Sequence, residues 1–126
     1  MGTPQRPLSP HLGIYRWQLT MALSILHRAS GVFLSIGAVI MVAVIMSVEM
    51  GPSYFETVQG WLAHPIGLLL LVGWSFALFL HLANGVRHLI WDVGLGLEKN
   101  TANKSGLWVI AFAVLATAAT WAFAWS

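Results

Sequence analysis

Chemistry in this sequence is concentrated in two short runs. Ser24-Ile25-Leu26-His27-Arg28-Ala29-Ser30-Gly31 carries hydroxyls, an imidazole and a fixed cation. His81-Leu82-Ala83-Asn84-Gly85-Val86-Arg87-His88 carries two imidazoles, an amide and a second guanidinium, with Asp92 one turn further on. On a helix, Ser24, His27, Arg28, Gly31 and Ser35 recur at intervals of three or four residues and share one face, as do His81, Asn84, Gly85, His88 and Asp92. At a rise of about 1.5 Å per residue, His81 and His88 stand roughly 10 Å apart along such an axis. A neutral imidazole can ligate a metal, haem iron included, and can also move a proton. The Ser/His/Arg face can hydrogen-bond and charge-stabilise a small polar head group.

The elements that must hold these residues are more apolar than a small water-soluble domain tolerates. Of the 126 residues, 8% are charged, against roughly 25% in ordinary soluble domains, and 58% are apolar, with seven Trp and six Phe. Small domains keep much of their surface in solvent, so a water-soluble monomer is excluded. The net charge of +2 is too sparse for a nucleic-acid surface, and no such partner is expected. The absence of cysteine removes disulfides, Cys-held clusters and covalently attached haem.

Charged residues punctuate the chain. Residues 29–48, 57–86 and 105–126 contain no Asp, Glu, Lys or Arg. A hydrocarbon core of about 30 Å needs about 20 apolar helical residues, so the sequence predicts an all-α membrane protein with three transmembrane helices, at about 22–49, 62–92 and 105–125. Residues 1–21 form an N-terminal interfacial arm, and 22–126 one transmembrane domain. The arm carries Pro4, Pro7 and Pro10 and has no apolar run followed by a cleavage site, unlike a secretory signal. Tyr15, Arg16 and Trp17 suit headgroup depth. The stretch Met50–Trp61, with Gly51-Pro52-Ser53, reads as a turn, and Gly94–Ser105 as the second loop. All six Lys and Arg fall on the side of the N-terminus and the second loop, and none in the first. The positive-inside rule therefore puts the N-terminus in the cytoplasm or matrix and Ser126 on the opposite side.

Burial depth ranks the candidates. Arg87, Arg28 and His88 lie near helix ends, where a long side chain can reach the interface; for Arg87 this bland reading is as good as any other. Ser30, Gly31 and Ser35 read first as helix-packing residues. His11 and His64 read as interfacial and structural. His81 lies six residues inside Arg87, roughly 9 Å deeper, among Phe76, Leu78, Phe79, Leu80 and Leu82. Intramembrane ionisable residues usually mark function, and Gly85 removes a side chain where a flat macrocycle would approach. His27 is a possible second ligand, although a ligand from another chain suits the depths better. The inward Arg28, Asn84, Arg87 and His88 are too many for three helices to satisfy alone, so a second helical subunit is expected.

Three motifs in order carry a family resemblance: Arg6-Pro7-Leu8-Ser9-Pro10-His11-Leu12 with Ile14-Tyr15; Ser24-Ile25-Leu26-His27-Arg28 with Gly31; and His81 through Asp92 with Gly94. Together they span nearly the whole chain, which resembles the cytochrome b556, or large membrane-anchor, subunits of succinate dehydrogenase, respiratory complex II. The resemblance implies a helical bundle shared with other chains around haem b. His81 matches the axial iron ligand, the second ligand being a His of the smaller anchor subunit. Trp17, Met21, Ser24, Ile25 and Arg28 match the ubiquinone site, and His27, Arg28 and His88 match positions near the haem propionates. It also implies an iron–sulfur subunit and a flavoprotein as partners. Succinate chemistry resides in the flavoprotein, and this chain contributes to the quinone-reduction site in a bacterial or mitochondrial inner membrane. The wider family includes fumarate reductase anchors with two haems or none, so the haem rests on His81 and not on the family name. Two other classes stay open: a haem-free structural anchor in which His81 bonds a neighbouring helix, and a proton-relay subunit using His81 and His88.

Overall fold

The computed structural model describes residues 17–126, and these are all-helical. Four helices follow in order: α1 Leu19–Met50, α2 Pro52–Ala63, α3 Pro65–Asp92 and α4 Lys99–Ala124. α1, α3 and α4, of 32, 28 and 26 residues, are each long and apolar enough to cross a membrane, the three spans the sequence predicts. Hydrocarbon offers no water to backbone N–H and C=O groups, so apolar segments of this length satisfy them internally as helices. Of the arm drawn at 1–21, residues 1–16 lie outside the described residues, including the Arg6–Leu12 motif, Ile14, Tyr15 and Arg16. Leu19, Thr20 and Met21 already form the first turn of α1.

Two boundaries differ from the sequence reading. The stretch read as a turn, Met50–Trp61, is mostly the 12-residue helix α2. Gly51 ends α1 at φ 110°, a backbone conformation that favours glycine. Pro52 then opens α2 at a position whose N–H would have no helical partner anyway. The expected continuous helix from about residue 62 is instead broken at His64. Pro65 disfavours the helical region for the residue before it, and His64 is extended at φ −61°, ψ 144°. The His64 imidazole caps the new helix, Nδ1 accepting from the Ile66 N–H at 3.3 Å. α4 also starts earlier than residue 105, so the second loop shrinks to 93–98, pinned by the Trp91 indole N–H donating to the Gly96 carbonyl at 3.2 Å.

α1, α3 and α4 all touch one another around Leu23, Leu80, Val109 and Ala113, with Phe76, Phe79 and Ile110 packed against them. Gly106 lets α4 approach α1: a Cβ there would come within 2.8 Å of Leu23 Cδ1. Lower in the bundle the bare face of Gly37 receives the Trp74 indole, which any Cβ would overlap. Most other large apolar side chains point outward, as helices bathed in lipid or covered by partner helices require. This packing fixes α3 against α1 at the level of the two chemistry-bearing runs.

Candidate functional site

α1 presents His27, Ser30 and Gly31 to α3, and His81 of α3 lies on that stripe. His81 Nδ1 is 3.0 Å from Ser30 Oγ and 3.1 Å from the His27 carbonyl oxygen. A carbonyl has no proton to give, so Nδ1 carries the proton and donates. The Ser30 hydroxyl gives its own proton to the same carbonyl at 2.9 Å, which leaves an oxygen lone pair for Nδ1–H. The tautomer is thereby set with the lone pair on Nε2, which has no hydrogen-bond partner among the described residues. Gly31 makes the approach possible: a Cβ there would stand 3.2 Å from His81 Cε1, tighter than ordinary contact.

The His27 ring stacks on His81 face to face, centroids 4.0 Å apart and planes 9° from parallel. It also tilts against His88 at 5.1 Å. His27 Nδ1 is buried without a hydrogen-bond partner, while His88 Nδ1 lies 2.7 Å from the Asn84 carbonyl. Gly85 faces His27 and not an open space, a Cβ there meeting His27 Cε1 at 3.8 Å. Two rings stacked this closely leave no room for a macrocycle between them, so His27 cannot serve opposite His81. Nor does the stack align an N–H with a ring nitrogen, as a proton relay from His81 to His88 would require.

Arg87 does not reach out of the bundle. It is 4% exposed, and its guanidinium donates to Ser105 Oγ at 2.9 Å, to the Ala102 carbonyl at 2.8 Å and to Asn84 Oδ1 at 3.1 Å. Its Cζ lies 4.0 Å from the centroid of the Trp91 ring. Asn84, 1% exposed, donates in turn to the Leu23 carbonyl at 3.3 Å. The expectation that the inward polar groups cannot be satisfied within three helices is therefore corrected. Asn84, Arg87 and His88 find partners in this chain because α4 begins early enough to bring Ala102 and Ser105 beside α3. Arg28, by contrast, is exposed.

The remaining candidates occupy a neighbouring stripe of α1. Met21, Ser24, Ile25 and Arg28 follow at helical spacing, with Trp17 just before the helix. Trp17 and Ile25 are 64% and 51% exposed, and Ser24 is half-buried. Neither the Ser24 nor the Arg28 side chain hydrogen-bonds within the described residues, so a half-buried hydroxyl and an exposed cation stand one helical turn apart. The stripe around Ser24 and Arg28 is offset by roughly one turn, about 5 Å, from the His81 contacts at His27–Gly31. Sequence reasoning assigned Ser30 to packing and missed Ser105 and Ala102. Its one available signal for Ser30 was the three-residue spacing from His27.

The donor chemistry of His81 fits a residue that would hold haem iron. Metal-ligating histidines characteristically donate their other ring N–H to a carbonyl or a neighbouring side chain, the state in which His81 stands. Among the described residues no three His, Cys, Asp or Glu side chains converge into a chelating group.

The sequence family described as the succinate dehydrogenase/fumarate reductase transmembrane subunit matches residues 2–120. A succinate dehydrogenase cytochrome b556 subunit of Rickettsia bellii is 39% identical over 117 residues, covering 93% of this chain and 91% of its own length. Mitochondrial succinate dehydrogenase cytochrome b560 subunits of Sus scrofa and Mus musculus are 40% and 41% identical, each over 89% of this chain and 68% of the relative.

Proposed function

The chain belongs to the family of succinate dehydrogenase/fumarate reductase transmembrane subunits, and from that premise we propose that it is the haem b-bearing membrane anchor of a succinate dehydrogenase and forms part of its ubiquinone-reduction site. The observation that carries the reading is the state of His81: Nδ1 is held by Ser30 Oγ and the His27 carbonyl, and Nε2 is left for iron. His81 would hold the haem on one side, and a His of the smaller anchor subunit on the other. His27, Arg28 and His88 would stand near its propionates. Bound haem would supply a one-electron reservoir beside the quinone site.

Ser24, Arg28, Ile25, Met21 and Trp17 would bind the quinone. A quinone carbonyl oxygen accepts hydrogen bonds only, and the Ser24 hydroxyl can donate to it. Reduction places negative charge on that oxygen. The Arg28 cation favours the charged state, more strongly where lipid and protein exclude water. Ile25, Met21 and Trp17 offer the apolar flank a quinone ring requires. Protons reach the oxygens most easily if the site lies toward the end of the bundle that carries the Lys and Arg residues, which the charge asymmetry assigns to the cytoplasm or matrix. Electrons come from the iron–sulfur subunit docked on that side, and from the flavoprotein beyond it.

A structural anchor in which His81 only ties α3 to α1 accounts for its Nδ1 contacts but not for the free Nε2. The test is the reduced-minus-oxidised absorption spectrum of the purified complex. A b-type haem in one-to-one ratio with this chain supports the reading, and its absence leaves the haem-free anchor.

A further inference from the structure

We infer that Ser30 is a positioning residue for the haem ligand: its hydroxyl bridges His81 Nδ1 and the His27 carbonyl, holding the His81 ring at one angle and making it a stronger electron donor to the iron. The inference rests on the proposed role of His81 and adds to it a determinant of the haem potential on a different helix.

Three contacts form a closed triangle. Ser30 Oγ to the His27 carbonyl is 2.9 Å, Ser30 Oγ to His81 Nδ1 is 3.0 Å, and His81 Nδ1 to the carbonyl is 3.1 Å. One proton, that of Ser30, satisfies the carbonyl; the other, on Nδ1, is shared between two acceptors. Ser30 is itself buried, at 7% exposure, so water does not compete for the bond. A packing role for a small residue would be met as well by alanine, yet the hydroxyl is directed at a ring nitrogen 51 residues away, on the partner helix α3. Hydrogen bonding to the outer N–H raises the basicity of a ligating imidazole and fixes its orientation. A more electron-rich imidazole stabilises ferric over ferrous iron, so the bond lowers the reduction potential. Gly31 contributes space: a Cβ there would stand 3.2 Å from His81 Cε1, and the ring would have to give by a few tenths of an ångström.

The experiment uses the assembled, membrane-extracted complex carrying Ser30→Ala, Ser30→Thr or His81→Ala in this chain. Haem content, the midpoint potential from a redox titration, and the low-spin g-values are measured for each. Ser30→Ala should retain haem and low-spin character but shift the midpoint potential upward, by as much as a tenfold change in the ferric/ferrous equilibrium, about 59 mV. Its g-values should change as the ring loses one anchor. Ser30→Thr keeps the hydroxyl and should restore both values toward wild type. Should Ser30→Ala fail to assemble, Ser30→Cys, similar in size and a weaker partner, carries the test and should shift in the same direction. A midpoint potential and g-values in Ser30→Ala or Ser30→Cys equal to wild type would overturn the inference. An equal shift in Ala and Thr variants would also overturn it, because the hydroxyl would then be irrelevant. His81→Ala separates the two claims. Unchanged low-spin haem in that variant refutes the ligand assignment itself, whereas its loss alongside a silent Ser30→Ala refutes only the role of Ser30.

Discussion

Arg87→Leu should destabilise the assembled protein severely, although a cation this near a helix end would ordinarily be a candidate for harmless removal. The substitution deletes two hydrogen bonds from α3 to α4, to Ser105 Oγ and the Ala102 carbonyl. Interhelical bonds in membranes average about 0.6 kcal/mol each and reach about 1.7. It also strips Asn84 Oδ1 of its donor at a site 1% exposed, where an unpaired acceptor costs about 1–3 kcal/mol. The stacked contact with Trp91 adds about 0.5–2 kcal/mol. Leucine returns part of this through apolar packing, leaving a net loss of about 2–4 kcal/mol, or roughly 30- to 1,000-fold in the unfolding equilibrium. Arg87→Lys keeps a charge but only a point donor in place of the planar fork, and should fall between the two. The assay is an SDS titration of the detergent-solubilised complex, following helical ellipticity and haem absorbance together. If Arg87→Leu unfolds within about 0.5 kcal/mol of wild type, the guanidinium resides among headgroups and the α3–α4 clamp is not a stabilising element.

Gly37→Ala should cost about 1–3 kcal/mol in the same titration, because its new Cβ overlaps the Trp74 indole, while Gly73→Ala, which meets nothing, should be neutral or slightly stabilising. Reporter fusions should be active on the periplasmic or intermembrane side after Ser126 and on the opposite side before Met1; two ends on one side would mean an even number of spans. This chain produced without its partner anchor should fold poorly or lose haem, since on the proposed reading His81 would supply one imidazole only and many large apolar side chains are exposed; a stable haem-loaded single chain would refute the partner ligand.

Charge punctuation made the three spans legible, because lipid penalises ionisable groups and leaves long uninterrupted runs between them. The same signal hid α2: Gly51-Pro52 read as a turn and residues 62–64 as the start of the second span, yet Pro52 and Pro65 each open a separate helix. Helical spacing grouped Ser24, His27, Arg28, Gly31 and Ser35 on one face of α1, yet only His27 and Gly31 of these meet His81, while Arg28 and Ser35 are exposed. It could not reveal which histidine faces which, since the stacking of His27 on His81 depends on how α1 and α3 rotate against each other. Arg87 illustrates the limit from the other side. Distance from a helix end suggested snorkelling, and only the early start of α4, set by the Gly94 and Gly96 loop, brings Ala102 and Ser105 to its guanidinium. Ser30 was illegible because a buried serine that packs and one that holds a ligand have the same sequence.

The central claim is that two separable sites lie on facing helices, an iron ligand at His81 of α3 and a quinone contact at Ser24 of α1. It is tested most directly by measuring the haem spectrum and succinate-driven ubiquinone reduction on the same membranes carrying Ser24→Ala or His81→Ala. Ser24→Ala should leave the low-spin spectrum intact and slow quinone reduction by roughly ten- to more than a hundredfold, the loss of about 1.5–3 kcal/mol from one hydrogen bond to a charged acceptor. His81→Ala should make the haem high-spin, loosely bound or absent. An unchanged low-spin spectrum in His81→Ala, with haem lost in Ser24→Ala, would contradict the account.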